Sequence, residues 1–216
     1  MTRIMRVFFI LLYHQLAWGY DLVATIVSLG NWGKWRNSIL RKISGPRVLE
    51  LGYGPGHLQH QLAELNLDHF GIDESDQMGK ITSRRLVKIG RNGRIARGYT
   101  QYLPFPDKIF DQVVSTFPSE YIFNPLTLSE SYRILKDGGK FVILPVAWID
   151  GKRWWEKAAA WLFKITGQAP TWDDRYLDPF HKAGFDIKTE IVEGPSWTVM
   201  LIIGEKPEVH LPLNKI

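Results

Sequence analysis

The residues whose types and spacing could do chemistry are Glu50, Gly52, Gly54, Gly56 and Asp73. Val48-Leu49-Glu50-Leu51 reads as a buried strand, and Gly52-Tyr53-Gly54-Pro55-Gly56 turns it into a helix opening near His57. Such a turn presents bare backbone and unpaired helix N–H groups at the carboxyl end of a sheet, where open α/β sheets bind their ligands. Glycine is required there because a Cβ would hold the ligand away or forbid positive φ. Asp73 closes the next apolar run, Phe70-Gly71-Ile72, about 20 residues on, where a carboxylate can accept hydrogen bonds from both hydroxyls of a ribose. The chemistry implied is the holding of a nucleoside-bearing ligand. The chain has no Cys, which excludes thiolate nucleophiles, Cys-type zinc sites and disulfides and suits a reducing compartment.

The elements that must position these residues follow from periodicity. Strands are expected at 47–51, 69–72, 94–98, 110–115 and 140–146, with helices between them near 56–65, 75–89 and 125–135, which makes repeated βα units and a parallel sheet covered on both faces. Lys136-Asp137-Gly138-Gly139 is expected to stop the last of these helices. Two more helical stretches, 152–166 and 173–183, precede a strand pair at 185–193 and 196–206 joined at Gly194-Pro195, so the sheet finishes antiparallel. The fold class is α/β, a Rossmann-like three-layer sandwich with a seven-stranded, mostly parallel sheet. At 216 residues, 45% hydrophobic and 23% charged, one domain is expected, with no room for a separate substrate domain. Its parts are an N-terminal helical cap (1–46), a cofactor-binding core (47–146), a helical cap insertion (147–184) and the terminal strands (185–206).

Two further blocks narrow the reading. LPFPDKIFDQVVSTF at 103–117 and SESYRILKDGGKFVIL at 129–144, together with the glycine turn and Asp73, resemble the class I S-adenosylmethionine-dependent methyltransferases of the type 11 group. The third glycine also comes one residue earlier than in a dinucleotide fingerprint. The resemblance covers roughly 47–146 and implies S-adenosyl-L-methionine as cofactor. It places Glu50, Gly52, Tyr53, Gly54 and Gly56 at the methionine and ribose, Asp73 at the ribose diol, and Ser75 and Met78 at the adenine. The family's acidic turn after the third strand aligns with Gly98-Tyr99-Thr100-Gln101, where Tyr99 replaces the acid, so adenine is left to stacking, backbone groups or Gln101. Asp111 is expected to be structural. Ser115, Thr116 and Phe117 fall near the transferred methyl, and His57 is either a first-turn helix residue or a substrate contact. Tyr13, His14, Tyr20, Asp21, Glu120 and Tyr121 are the candidates for a general base. No His and carboxylate set has metal-ligand spacing, so no metal is expected.

The acceptor has to be argued from the flanks. Trp18, Trp32 and Trp35 lie before residue 36, and Trp148, Trp154, Trp155, Trp161 and Trp172 lie late, with Trp197 apart and none in the cofactor core. Residues 1–47 carry a net charge of +6, the rest −1. The apolar run that ends at Tyr13 is shorter than the roughly 18 residues of a membrane span, and its polar positions form one helical stripe. Either this helix packs on the domain or it dips into a membrane surface, helped by Lys34, Arg36, Arg41 and Lys42. The expectation is a cytoplasmic enzyme with peripheral membrane contact through residues 1–45 and a small hydrophobic acceptor such as a lipid or quinone precursor. The alternative is a non-catalytic cofactor- or lipid-binding scaffold of the same fold. The acid-free stretch holding Lys80, Arg84, Arg85, Lys88, Arg91, Arg94 and Arg97 reads as a solvated helix face, and nucleic acid is not an expected partner; the oligomeric state is open. Liposome flotation should depend on residues 1–30, and full-length chain that stays in the soluble fraction would overturn the membrane reading.

Overall fold

The computed structural model describes Thr25, residues 28–149 and residues 174–208. Seven strands form one sheet in the order β3-β2-β1-β4-β5-β7-β6. They are β1 (Arg47–Leu51), β2 (Asp68–Asp73), β3 (Arg94–Arg97), β4 (Phe110–Thr116), β5 (Leu135–Ile149), β6 (Asp186–Glu193) and β7 (Trp197–Glu205). β1 to β5 run parallel, and β7 lies antiparallel between β5 and β6. The helices are α1 (Trp32–Leu40), α2 (His57–Glu64), α3 (Asp76–Val87), α4 (Pro125–Ile134) and α5 (Asp178–Lys182).

Period-two alternation in the central strands makes the two cores. Val48, Val114, Val142, Leu144, Leu201 and Ile203 face Trp35 and Ile39 of α1 and Leu58 and Leu62 of α2. Leu49, Leu51, Val113, Phe141, Ile143 and Ile202 face Leu128 and Ile134 of α4 and Phe180 of α5. The three-layer sandwich expected from the sequence is the one observed. The helical insertion at 152–166 lies outside the described residues.

α4 ends within one residue of the expected 135, but the device that stops it differs from the expectation. Leu135 is already extended at φ −72°, ψ 138°, and pairs with Phe110. The helix therefore ends before the glycines, and the buried Lys206 ammonium donates to the carbonyls of Tyr132 and Leu135 at 2.8 Å each, a cation at a helix C-terminus. Gly138 and Gly139 instead form a bulge inside a long β5, at φ +73° for Gly138, where Gly138 N–H donates to Lys206 O and Lys206 N–H to Gly139 O. β5 then runs past the expected core boundary at 146, with Trp148 opposite Thr198 and Ile149 opposite Trp197. The last helical stretch falls where expected but is divided, a 3-10 turn at Asp174–Leu177 followed by α5.

The two sequence blocks that carry the resemblance meet in space as a fastening. Arg133 on α4 donates to Phe105 O at 2.7 Å, Asp107 at 2.8 Å, Leu103 O at 3.1 Å and Glu130 at 2.7 Å and 2.8 Å. The loop before β4 is thereby tied to the helix before β5. Asp111 accepts from Arg47 N–H at 2.9 Å and from Lys136 at 2.5 Å, locking β1 and β5 to β4. Arg133→Ala leaves two backbone carbonyls and two carboxylates without their donor. The expected loss is about 1–3 kcal/mol, read as a lower urea midpoint with an unchanged slope.

Candidate functional site

β1 delivers the glycine turn, and three neighbours shape it. Gly52, Gly54 and Gly56 take φ of +68°, +49° and +75°, values that a side chain rarely tolerates. A Cβ on Gly52 would lie 2.2 Å from the Tyr121 hydroxyl, and one on Gly56 would lie 2.4 Å from the Thr82 methyl. A Cβ on Gly54 would meet nothing within 4 Å. Two glycines are thus required by packing as well as by φ, while Gly54 keeps a face of bare backbone open. Its N–H donates to Asp73 at 2.8 Å and its carbonyl accepts from Thr82 Oγ1 at 2.8 Å. No side chain caps α2, so its first N–H groups add positive potential beside the turn.

Because β1 and β2 are parallel neighbours, Asp73 ends level with this turn. Each of its oxygens accepts one backbone N–H, from Gly54 and from Ser75, both at 2.8 Å. A carboxylate oxygen has a second lone pair, so the anchored acid is compatible with a diol.

Glu50 is buried below the turn, with Gln59 Nε2 donating to it at 2.9 Å. Gln59 also donates to Phe70 O at 3.0 Å, and its oxygen lies 2.8 Å from His69 Nδ1. Burial pushes the Glu50 carboxyl up to about 8, opposed by the hydrogen bond from Gln59 and by the charge of Arg36. A cavity of about 30 Å³ lies here, lined by Trp32 and Arg36 of α1, Glu50, Gly54, His57 and Thr116.

At the end of β4, Ser115 Oγ donates to Leu51 O at 2.8 Å and lies 3.2 Å from the Tyr121 hydroxyl, which itself donates to Leu51 O at 3.1 Å. Burial holds the Tyr121 phenol above its ordinary range, so its proton stays on at neutral pH. Phe117 takes a left-handed φ of +49° and stacks on Trp32 with ring centroids 4.2 Å apart. Such a conformation is costly for an aromatic residue and is held by its surroundings, here the bond from Phe117 N–H to Leu144 O at 2.7 Å.

The structure brings Glu50, Gly52, Tyr53, Gly54, Thr116 and His57 around one cavity, with Asp73 and Gly56 adjoining through the turn. Ser75 caps α3, accepting from Met78 N–H at 3.3 Å. Met78 is fully buried against Tyr53, so both adenine-side candidates also serve the fold. Gly98 N–H donates to Asp73 O at 3.0 Å, which seats the 98–101 turn beside the acid. There the Tyr99 side chain is exposed, Gln101 is half-buried, and Thr100 is drawn to Thr127 at 2.9 Å. Glu120 is exposed in a 3-10 turn. Tyr13, His14, Tyr20 and Asp21 lie outside the described residues. Sequence reasoning missed Trp32, Arg36, Thr82 and Gln59 as site residues. Trp32 and Arg36 had a readable signal, an i, i+4 spacing on one helix face, but nothing in the sequence said which way that face points.

The positive-φ glycine turn, the anchored acid on the adjacent strand and the 3-2-1-4-5-7-6 sheet define a nucleoside-binding α/β domain. The chain matches the methyltransferase domain family over residues 49–143. It is 35% identical over 130 residues to an uncharacterized methyltransferase, YdaC, of Bacillus subtilis, a match covering 58% of this chain and 68% of that one. It is 32% identical over 142 residues to the demethylmenaquinone methyltransferase of Symbiobacterium thermophilum, covering 62% of this chain and 57% of that protein. This second match spans little more than half of the relative's length. The fold is shared with a SAM-dependent methyltransferase of Thermotoga maritima (TM-score 0.61, 19% identity, 87% and 94% of the two chains). It is shared as well with the geranyl diphosphate C-methyltransferase of Streptomyces coelicolor (TM-score 0.60, 14% identity, 81% and 77%). The chain belongs to the methyltransferase domain family.

An acid whose pKa rises on folding, here from 4.5 to about 8, holds its proton more tightly when folded. Its stabilising contribution is complete below the unfolded pKa and is lost as pH climbs through the folded one. The ligand-free protein should lose stability across that window by up to about 1.4 kcal/mol per pH unit from this group. Glu50→Gln, which keeps an acceptor for Gln59, should flatten the slope in urea melts taken at a series of pH values; an unchanged slope would show that Glu50 is ionised throughout.

Proposed function

We propose that the chain transfers a methyl group from S-adenosylmethionine to a small hydrophobic acceptor. The observation that carries the donor is the open backbone at Gly54, with its N–H on Asp73 and the positively charged Arg36 across the cavity from Glu50. Asp73 would hold the ribose hydroxyls. Arg36 would face the methionine carboxylate and Glu50 the methionine ammonium, whose charge would draw the Glu50 carboxyl back toward ionisation. The sulfonium supplies an already activated methyl carbon. What remains for the protein is orientation and the exclusion of water, and alignment of this kind is worth roughly 7–11 kcal/mol of a bimolecular barrier.

The acceptor reading rests on the stacked Trp32 and Phe117 beside Thr116, an aromatic wall where Phe117 is held in a strained backbone. Flat, apolar molecules match such a wall. The relatives named for demethylmenaquinone and for ubiquinone or menaquinone C-methylation point the same way, to a reduced quinone precursor with a ring carbon as nucleophile. Tyr13, His14, Tyr20 and Glu120 stay the candidates for taking an acceptor proton. Tyr121 already donates to Leu51 O and holds the turn in place.

Calorimetry with S-adenosylmethionine should give saturable binding by the wild type. Asp73→Ala and Arg36→Ala should each weaken it by about tenfold or more. Absence of wild-type binding would overturn the donor assignment. With binding established, transfer of labelled methyl to reduced naphthoquinols is the expected turnover, and binding without transfer to any apolar acceptor would favour the scaffold reading.

A further inference from the structure

A second cleft, of about 420 Å³, lies in the groove between α3 and the edge strand β3 and shares Tyr53 with the glycine-turn cavity. That size is in the range of small-molecule sites, roughly 300–1,000 Å³. Its floor is Gly79, Ile95 and the Tyr53 ring, and its rim carries Lys80, Arg84 and Arg97 against one carboxylate, Asp76. Asp76 is already neutralised by Lys80 at 2.6 Å. Neither the Arg84 nor the Arg97 guanidinium forms an ion pair among the described residues; Arg97 is steadied by its Nε on Glu74 O at 2.9 Å, and its charge also acts on Asp76.

The second observation lies beneath the cations. Tyr53 is 3% exposed, yet its hydroxyl has no hydrogen-bond partner among the described residues. The ring is admitted to this place by glycines, since a Cβ on Gly71 would lie 2.7 Å from Tyr53 Cδ1 and one on Gly79 would lie 3.1 Å from its hydroxyl. The hydroxyl is not among the buried atoms left without a partner, so it opens on the cleft and can donate to a group held there. Two arginines that form no ion pair among the described residues, a lysine, the Ser83 hydroxyl and the Tyr53 hydroxyl are all donors at one cleft. A donor set of that kind fits an acceptor-only, multiply charged group, and guanidinium forks match phosphate oxygens bidentately.

We propose that the α3/β3 cleft is a binding site for a phosphate-bearing ligand, beside the methyl-transfer site and sharing Tyr53 with its cavity. The phosphate sits among Arg84, Arg97 and the Tyr53 hydroxyl, and the apolar part of the ligand lies on Ile95 and Gly79. The phosphate belongs either to a soluble metabolite or to a lipid headgroup at the membrane surface.

The test uses the full chain without cofactor, with inorganic pyrophosphate as soluble probe and phosphatidic acid vesicles as lipid probe. Saturable binding of at least one probe is expected. Arg84→Ala should weaken it by about tenfold or more, while Lys88→Ala, the same charge change one turn further along and outside the cleft, should alter it less than about twofold. Equal urea midpoints for the two variants confirm that both are folded. Pyrophosphate binding identifies a soluble ligand; vesicle sedimentation that needs Arg84 and resists pyrophosphate identifies a headgroup. Failure of the wild type to bind either probe, or equal losses in both variants, overturns the proposal, the latter by reducing it to diffuse surface charge. None of these readouts depends on methyl transfer.

Discussion

The hydrogen bond from Gly54 N–H to the Asp73 carboxylate is the constraint around which the rest of the molecule is arranged. It exists because β1 and β2 are parallel neighbours of matching register, so that the turn leaving one strand reaches the acid ending the other. It holds its shape because three glycines take positive φ and, at Gly52 and Gly56, Tyr121 and Thr82 leave no space for a Cβ. Elements distant in sequence thus fix a turn of a few residues. Tyr121 follows β4, Thr82 sits in mid-α3, and Asp73 ends β2, and all three meet at the turn. The turn is preorganised by the sheet, which limits the reorganisation left for ligand binding.

Beneath the turn, a buried polar chain runs from Glu50 through Gln59 to His69. Burying a carboxyl among apolar strands is tolerable when it is neutral and hydrogen-bonded, and Gln59 supplies the bond while bridging to the Phe70 carbonyl. The same burial leaves a carboxyl facing the cavity that a cationic ligand can ionise. Arg36, from α1, stands across that cavity, so the one helix closing the described part of the site also supplies its counter-charge.

The blocks that carry the family resemblance divide into two kinds of residue. Arg133, Glu130, Asp107, Asp111 and Lys136 are distant from the glycine turn and fasten the loop before β4, the end of α4 and the bulge of β5. Their spacing recurs because it encodes a tertiary fastening. Glu50, the glycines and Asp73 are the kind that forms the site. A resemblance read from both blocks is therefore stronger as a statement of fold than as one of chemistry. The tryptophans teach a related lesson. Trp35 and Trp197 are core residues and Trp148 lies in the β5–β7 ladder, so of the described tryptophans only Trp32 stands at the cavity.

The strand and helix order, the alternation that buries both sheet faces, the glycine turn and the acid at the next strand end were legible in the sequence, because each is a local pattern of 3.6 or 2 residues or a short motif with a backbone reason. The end of α4 near residue 135 was legible, but its cap was not, because Lys206 lies some seventy positions away. Thr82, Gln59 and Arg36 were silent for the same reason: a polar side chain on a helix says nothing locally about which strand it will face. The tertiary structure alone decided that Tyr53 reaches from its own turn into a groove that Gly71 and Gly79 keep free. Sequence periodicity determined which residues could be buried together; only the packing of α1 and α3 on the sheet decided which polar groups among them share a cavity.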